Sequence, residues 1–283
     1  RQLLGVETLH LLPPRVPWGH KGTFGHVLVV GGSKDYPGAP ALSGQAVLRG
    51  GAGLVTVAVP ECIAGRFRPD ELIVVPLVTN GAGYLGEESF LQLEDLLANK
   101  NSLVIGPGLG NHPEVLIIVK ALLEQWNGPT VIDADALRVL TEGFLESIPL
   151  GKRQQWIITP HPGEMARLIH SNAVQINQER LSASEEFAHN WGINVVLKGA
   201  PTIITNGEKT YINSTGNHGL GTAGTGDVLA GLIGSLLAQG LKPIEASCVG
   251  VYAHGAAGDL AAKQGARGLI ASDCLKWLPE ILA

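Results

Sequence analysis

Residues 216–240 read GNHGLGTAGTGDVLAGLIGSLLAQG, and the rest of the chain is organised around them. Five glycines fall between Gly216 and Gly226, an acid follows at Asp227, and an apolar run of helical length comes next. Glycine reaches positive φ and carries no Cβ, so such a backbone turns sharply and lets a ligand come close. The free N–H groups that open a helix form a donor-rich, positive cup for an anion. An aspartate at the rim of that cup would repel phosphate unless it deprotonated a hydroxyl or held Mg²⁺ through water. The alternative is a helix N-terminus with an acidic first turn and nothing more. Glycine density this high is costly to order, which favours the anion cup.

Composition narrows the class of protein. With 283 residues the chain makes one large domain or two small ones. An apolar fraction of 45% against 16% charged residues describes a compact protein with a large core. Its 38 glycines are about twice the usual share, and their clustering points to loop architecture. A net charge of −5, with no Lys/Arg stripe, argues against a nucleic-acid surface. Cys62, Cys248 and Cys274 are scattered, lack CxxC spacing, and read as buried reduced thiols of a cytoplasmic protein. No apolar run approaches the ~20 residues that span a bilayer, and no signal peptide opens the sequence.

Along the chain, one pattern recurs. The Pro- and Gly-rich opening LLPPRVPWGHKGTFG reads as an extended arm, with His20 and Lys21 either near a ligand or in an exposed basic loop. HVLVVGGS (26–33) is a short buried strand ending in a glycine turn, and a helix of small residues follows from about Ala39. No GxGxxG follows that strand, so it fails as a dinucleotide fingerprint. LVTVAV (54–59) and ELIVVPL (71–77) are further strands, and 87–100 has helical periodicity. SLVIGPGLGN (102–111) repeats strand then glycines, with Gly108 among them, before a helix near 112–125. TVIDADAL delivers Asp133 and Asp135 at a strand end; Asp135 serves equally well as an N-cap, whereas Asp133 has no such explanation.

WIITPHPGEMARL places His161 and Glu164 where a strand gives way to a helix. Glu164 either favours the helix dipole or meets a ligand, and His161, between two prolines, is read as a ligand contact. INVVLKGAPTIITNG closes a strand with Lys198, a plausible phosphate partner, and EKTYIN reads as the hairpin partner of the strand after it. Helices near 225–239, 243–263 and 272–281 complete the chain. At least six strand-then-helix units with short connections predict an α/β fold, a mostly parallel sheet covered on both faces. Every special residue falls at a strand's carboxyl end or the next helix start, where such sheets bind ligands. No linker divides 20–283.

The inventory lacks GxxxxGK[ST], GxSxG and any Cys/His set with zinc spacing. It suits phosphoryl transfer from a nucleotide to a hydroxyl: Lys198 and backbone N–H groups hold phosphate, Mg²⁺ bridges it, and Asp227 takes the proton. Asp133 and Glu164 would be the carboxylates in the neighbourhood of such a metal.

These residues also carry a resemblance. GTAGTGDVLAG is similar to the GxGD signature of the ribokinase-like superfamily. Together with HKGTFGHVLVVGGS, PGAPALSGQAVLRGGAGLV, IGPGLG, DADAL, TPHPGEMARL, VVLKGAPT and YAHGAAGDLAA, it closely resembles the ADP/ATP-dependent NAD(P)H-hydrate dehydratases, from about His20 to Leu282. The resemblance implies a ribokinase-like fold and dehydration of the S form of hydrated NADH or NADPH, with ADP or ATP consumed and phosphate released. Bacterial style in HPGEMARL and GTGDVLAG favours ADP.

Carried over residue by residue, it makes Asp227 the base or hydroxyl partner, and Ala39, Gly108 and His161 the other contacts of the hydrated dinucleotide. Lys198, Gly199, Ala200, Pro201 and Thr202, with Asn217 and the cup Ala223, Gly224, Thr225 and Gly226, would hold the nucleotide. Two departures stand out: Gly38-Ala39-Pro40 replaces Gly-Ala-Ala, and Leu220-Gly221-Thr222 replaces Met-Ala-Thr. The resemblance further implies a homo-oligomer, a tetramer among the options, and a partnership with an NAD(P)H-hydrate epimerase. ETLHLLPPR resembles the linker that joins the two activities, which makes residues 1–19 an arm or linker before one domain at 20–283. A vitamin-precursor kinase of the same fold, or a non-catalytic nucleotide-binding module, would share GTGD and the Lys-Gly strand end.

Overall fold

The structure, a computed structural model, describes residues 1–67 and 71–283. Ten strands form one sheet: β1 (Gln2–Leu3), β2 (His26–Val30), β3 (Leu54–Pro60), β4 (Ile73–Leu77), β5 (Ser102–Ile105), β6 (Thr130–Ile132), β7 (Trp156–Ile158), β8 (Asn194–Leu197), β9 (Thr202–Thr205) and β10 (Thr210–Asn213). Their order is β1-β10-β9-β8-β7-β6-β5-β2-β3-β4. Strands β2 to β8 run parallel to one another, and β9 is antiparallel to both β8 and β10. The mostly parallel sheet expected from the motifs is therefore present.

The opening segment departs from the extended arm read in the sequence. Gln2 and Leu3 pair with Tyr211 and Ile212, and Val6–Leu11 winds into a 3₁₀ helix. The edge of β10 offers unpaired N–H and C=O groups, and a short strand satisfies them.

Both faces of β2 are apolar because both are covered. Val27 and Val29 point into one core layer with Val228, Leu232 and Leu236, while Leu28 and Val30 point into the other with Ile118 and Leu122. Side chains alternate along a strand, so four consecutive apolar residues serve two layers.

The helix Thr225–Ala238 lies inside the first layer and is buried along its whole length except at Gly226 and Asp227. A helix apolar all round belongs in a core. Its glycines allow close approach: a Cβ on Gly231 would meet the Ser43 carbonyl, and one on Gly234 would meet Val104. Cys248 and Cys274 are buried as expected, whereas Cys62, in the short helix Glu61–Ala64, is exposed.

The strand order reverses between β2 and β5. The chain moves from β2 outward through β3 and β4, then returns to the other side of β2 and continues outward from β5. That reversal opens a crevice at the carboxyl ends of the two strands. The loops are stitched there: Gly32 N–H donates to the Pro107 carbonyl at 2.8 Å, and Lys198 N–H donates to the Pro160 carbonyl at 2.8 Å further along the same edge.

Candidate active site

Asp227 occupies the first turn of the buried helix. Gly224 caps that helix at φ 91°, a left-handed turn that an L side chain rarely adopts. The Thr225 hydroxyl donates to the carbonyls of Leu220 (2.8 Å) and Thr222 (3.0 Å), so the loop before the helix is fixed by its own first residue. Ser43 donates to the Asp227 carbonyl at 2.8 Å. The helix that begins at Ala39 is thereby tied to the one that carries Asp227.

Lys198 emerges from the end of β8 and reaches the same place. Its Nζ donates to Asp133 Oδ1 at 2.9 Å and lies 3.8 Å from Glu164 Oε2. A Cβ on Gly226 would come within 3.4 Å of that ammonium. Burial works to lower the Lys198 pKa, but the carboxylates of Asp133, Glu164 and Asp227 outweigh it, and the ammonium is held firmly charged. Asp227 responds the other way. Burial pushes its carboxyl up to about 7, Asp133 adds to the rise, and Lys198 opposes it. A base poised near neutrality is suited to proton transfer.

Asp133 and Glu164, singled out in the sequence as carboxylates near a metal, thus stand on either side of Lys198. Among the described residues no group of three or more His, Cys, Asp or Glu side chains is arranged to hold a metal. Two carboxylates fit Mg²⁺ that arrives largely coordinated by phosphate, since Mg²⁺ commonly takes one or two protein carboxylates beside substrate phosphates.

His161 proves to have a local role as well. Its Nδ1 accepts from the N–H groups of Gly163 (3.0 Å) and Glu164 (3.2 Å), and Glu164 Oε2 accepts from His161 N–H at 2.7 Å. This capping box starts the helix Pro162–Leu168 and aims Glu164 inward. The imidazole remains 54% exposed, with Nε2 at 3.4 Å from Glu164 Oε1. Asp135 is not an N-cap: its Oδ2 accepts from Gly110 N–H at 2.9 Å and anchors the glycine loop after β5. Asp133 takes the N-cap position of the turn Ala134–Val139 instead, with its side chain turned to Lys198. Gly108 and Ala39 do come together at the crevice, for a Cβ on Gly108 would lie 3.0 Å from the Ala39 side chain. Pro40, a departure from the motif, is buried in the first turn of its helix, where proline is well tolerated.

A cavity of about 620 Å³ opens beside this cluster. Lys198, Gly199, Ala200, Pro201, Thr202, Asn217, Thr225 and Gly226 all border it; Ala223 and Gly224 shape the turn without lining it. Asn217 works as a tether, donating to the Gly258 carbonyl and to Asp259, each at 3.0 Å, while accepting from Gly219 N–H.

Two residues here escaped sequence reading. Arg180 Nη2 donates to the carbonyls of Lys198 and Pro201 at 2.9 Å and of Leu197 at 3.2 Å, fixing the loop that carries the lysine. Gly199 sits at φ 141° with its α-carbon so close that a Cβ would stand 2.6 Å from that guanidinium. His254, buried in the cavity wall, is held neutral: burial drives its pKa down to about 4 against the hydrogen bond with the Thr225 backbone. A helical Arg and a helical His carry no local sequence signal of such roles.

With this geometry described, comparison with known proteins is informative. A family model described as NAD(P)H-hydrate dehydratase matches residues 27–280. The bifunctional NAD(P)H-hydrate repair enzyme of Moorella thermoacetica is 44% identical over 96% of this chain and 52% of its own length. The ADP-dependent (S)-NAD(P)H-hydrate dehydratase of Neisseria meningitidis is 38% identical over 98% of this chain and 93% of that one. The chain spans about half the length of the bifunctional relatives. The ADP/ATP-dependent NAD(P)H-hydrate dehydratase of Bacillus subtilis, co-crystallised with ATP and Mg²⁺, superposes with a TM-score of 0.84 at 28% identity, covering 99% of this chain and 97% of that one.

Proposed function

The chain belongs to the NAD(P)H-hydrate dehydratase family, and from that premise we propose that it dehydrates the S form of hydrated NADH and NADPH at the expense of ADP. The observation that carries this reading is the Asp227 carboxyl, raised to about 7 beside the charged Lys198 at the mouth of a nucleotide-sized cavity.

In the proposed reaction the nucleotide lies in the cavity bordered by Lys198–Thr202 and Gly226, with its terminal phosphate toward Lys198 and the opening N–H groups of the Thr225 helix. The hydrated ring enters at the crevice beside the packed Ala39 and Gly108, its C6 hydroxyl against Asp227. Asp227 takes the hydroxyl proton as the oxygen attacks phosphorus. The bond to the leaving AMP breaks, and Lys198 offsets the charge that gathers on the phosphoryl oxygens. The ring now carries phosphate in place of a poor leaving group. Cleavage of the C6–O bond, with loss of a proton from the adjacent ring carbon, restores the double bond and releases phosphate. Asp133 and Glu164 would hold Mg²⁺ delivered with the nucleotide, which would supply further neutralisation of the phosphate charge.

The same reading makes residues 20–283 one catalytic domain, with 1–19 as the segment leading into it. It makes the enzyme a cytoplasmic homo-oligomer, with a tetramer among the options, that works beside an epimerase interconverting the two hydrate forms. Among the described residues no helix is long and apolar enough to cross a membrane.

The test follows recovery of dihydronicotinamide absorbance from the S hydrate with ADP, with ATP and with neither, each with Mg²⁺. Recovery that requires nucleotide, fastest with ADP, is expected. Nucleotide consumption without recovery, together with a phosphorylated product that persists, would overturn the dehydratase reading in favour of a kinase.

A further inference from the structure

A second hollow, of about 420 Å³, borders the Lys198 cluster at Glu164. It runs between the turn Ala134–Val139, with the residues that follow it, and the helix Pro162–Leu168. Its inner wall includes Glu164, whose Oε2 is 3.8 Å from Lys198 Nζ, and Lys198 in turn borders the nucleotide-sized cavity. Each hollow is therefore bordered by one member of the Lys198–Glu164 contact.

The outer rim of the second hollow is cationic. Arg138, Arg167 and His170 line it, and all three are exposed. Among the described residues no hydrogen bond or ion pair engages the side chain of any of them. Two carboxylates also line the hollow. Glu164 is committed to Lys198 and to the His161 amide, which leaves Glu142 alone at the rim against two guanidinium groups. In a chain of net charge −5 this is a locally positive mouth, able to draw in an anion. Arginine presents a planar fork of donors that matches phosphate, and it keeps its charge at every physiological pH.

A hydrated dinucleotide needs such a place. Its reacting ring occupies one end, a diphosphate links that end to a second nucleoside, and the co-substrate nucleotide already fills the first cavity. We propose that the second hollow receives the remote half of the hydrated dinucleotide, with Arg138 and Arg167 holding one of its phosphates. This rests on the dehydratase reading of the site. Arg167 follows Glu164 by three residues, so the two share one face of the helix and the rim stands one turn from the cluster. The phosphate is either the bridging diphosphate, common to both substrates, or the 2′-phosphate found only in the NADPH form. The interaction is made equally before and during reaction, so it contributes to KM rather than to kcat.

The experiment is steady-state kinetics of the double variant Arg138→Ala/Arg167→Ala with saturating ADP, using hydrated NADH and hydrated NADPH separately. A rise in KM of about tenfold or more, with kcat held within about twofold, is expected. A rise for both substrates identifies the diphosphate, and a rise for hydrated NADPH alone identifies the 2′-phosphate. Restoration of most of the lost affinity by Arg138→Lys/Arg167→Lys would support a phosphate contact made through charge. Unmoved KM values for both substrates, or a loss confined to kcat, would overturn the subsite while leaving the dehydratase reading intact. Failure of the parent enzyme to dehydrate either hydrate would instead remove the reading on which the subsite rests.

Discussion

The two hollows that border the Lys198–Glu164 pair are built from different materials. The nucleotide-sized one is made of backbone and small side chains on short, mutually tethered loops: Arg180 grips three carbonyls, Asn217 ties its loop to Gly258 and Asp259, and Thr225 locks the cup. The other is rimmed by long exposed side chains with no internal partner among the described residues. Groups that meet the transferring phosphoryl must be in position before the reaction, because reorganising them during it raises the barrier. A contact to a remote part of a substrate needs only charge and reach. Rigidity is concentrated where the transition state forms, and the long side chains lie where ground-state binding suffices.

The largest expected effect tests the rigid side. Asp227→Asn is expected to lower kcat by roughly 10³-fold while the ADP Kd, from calorimetry, changes only a few-fold. The same substitution is expected to stabilise the protein. The folded carboxyl titrates near 7 and the unfolded one near 3.8, so between those values the native state holds a proton that the unfolded chain has lost. Stability from this group is full below about 4 and is lost as pH rises to about 7. At pH 8 the Asn variant should therefore gain roughly 1–3 kcal/mol in chemical denaturation, and the gain should vanish near pH 4. An Asn variant no more stable at pH 8 than the parent would mean that Asp227 is not strained by burial.

Next in size is Lys198→Met, expected to reduce kcat roughly 10²-fold. Leaving Asp133 and Glu164 without their cation should also cost about 3 kcal/mol of stability. Should the variant keep near-parental turnover, Lys198 would be an ion-pair partner and no more.

Gly199→Ala sharpens the contrast between the two hollows. Forcing a Cβ toward Arg180 at φ 141° should weaken ADP binding about tenfold, measurable by titration, and cost about 1–3 kcal/mol of stability through backbone strain.

The smallest effects concern pH. With Asp227 acting as a base, kcat/KM should fall about tenfold per unit below about 7 and level off above it. His254 acts on stability in the opposite sense to Asp227. Its folded pKa of about 4 lies under its ordinary 6.5, so the stability it contributes is present above 6.5 and lost as pH falls toward 4. His254→Phe should flatten that acid limb of a Tm-versus-pH curve by a few degrees. An unchanged limb would move its origin elsewhere, His26 being the other histidine driven down to about 4.

Much of the site was legible because its residues stand at the ends of strands, and strand ends converge in a parallel sheet. Lys198 closing an apolar strand, Asp133 closing another and the glycine cup before Asp227 each carried a local signal. His161 showed where such reading thins. Its position between two prolines pointed to a ligand, and the structure adds a capping role that the sequence HPGE encodes equally well. Asp135 stayed open between a ligand contact and an N-cap; the N-cap position falls to Asp133, for which the sequence offered no such role, and Asp135 anchors a distant loop through Gly110, which sequence distance hides. Arg180 and His254 were invisible, because both sit within helices and act across the chain on loops that sequence distance does not connect.

The sequence by itself determined the alternation of strand and helix, the buried helix 225–238 and the chemical groups assembled at the strand ends. Those follow from periodicity, glycine placement and residue chemistry, which are local properties. Only the tertiary structure decided that the opening residues become an edge strand beside β10, that β9 reverses direction, and that Lys198 meets both Asp133 and Glu164 with a hollow bordering each end of the Lys198–Glu164 pair. Those depend on which distant segments share low-dielectric space, and burial and charge act through that space and not along the chain.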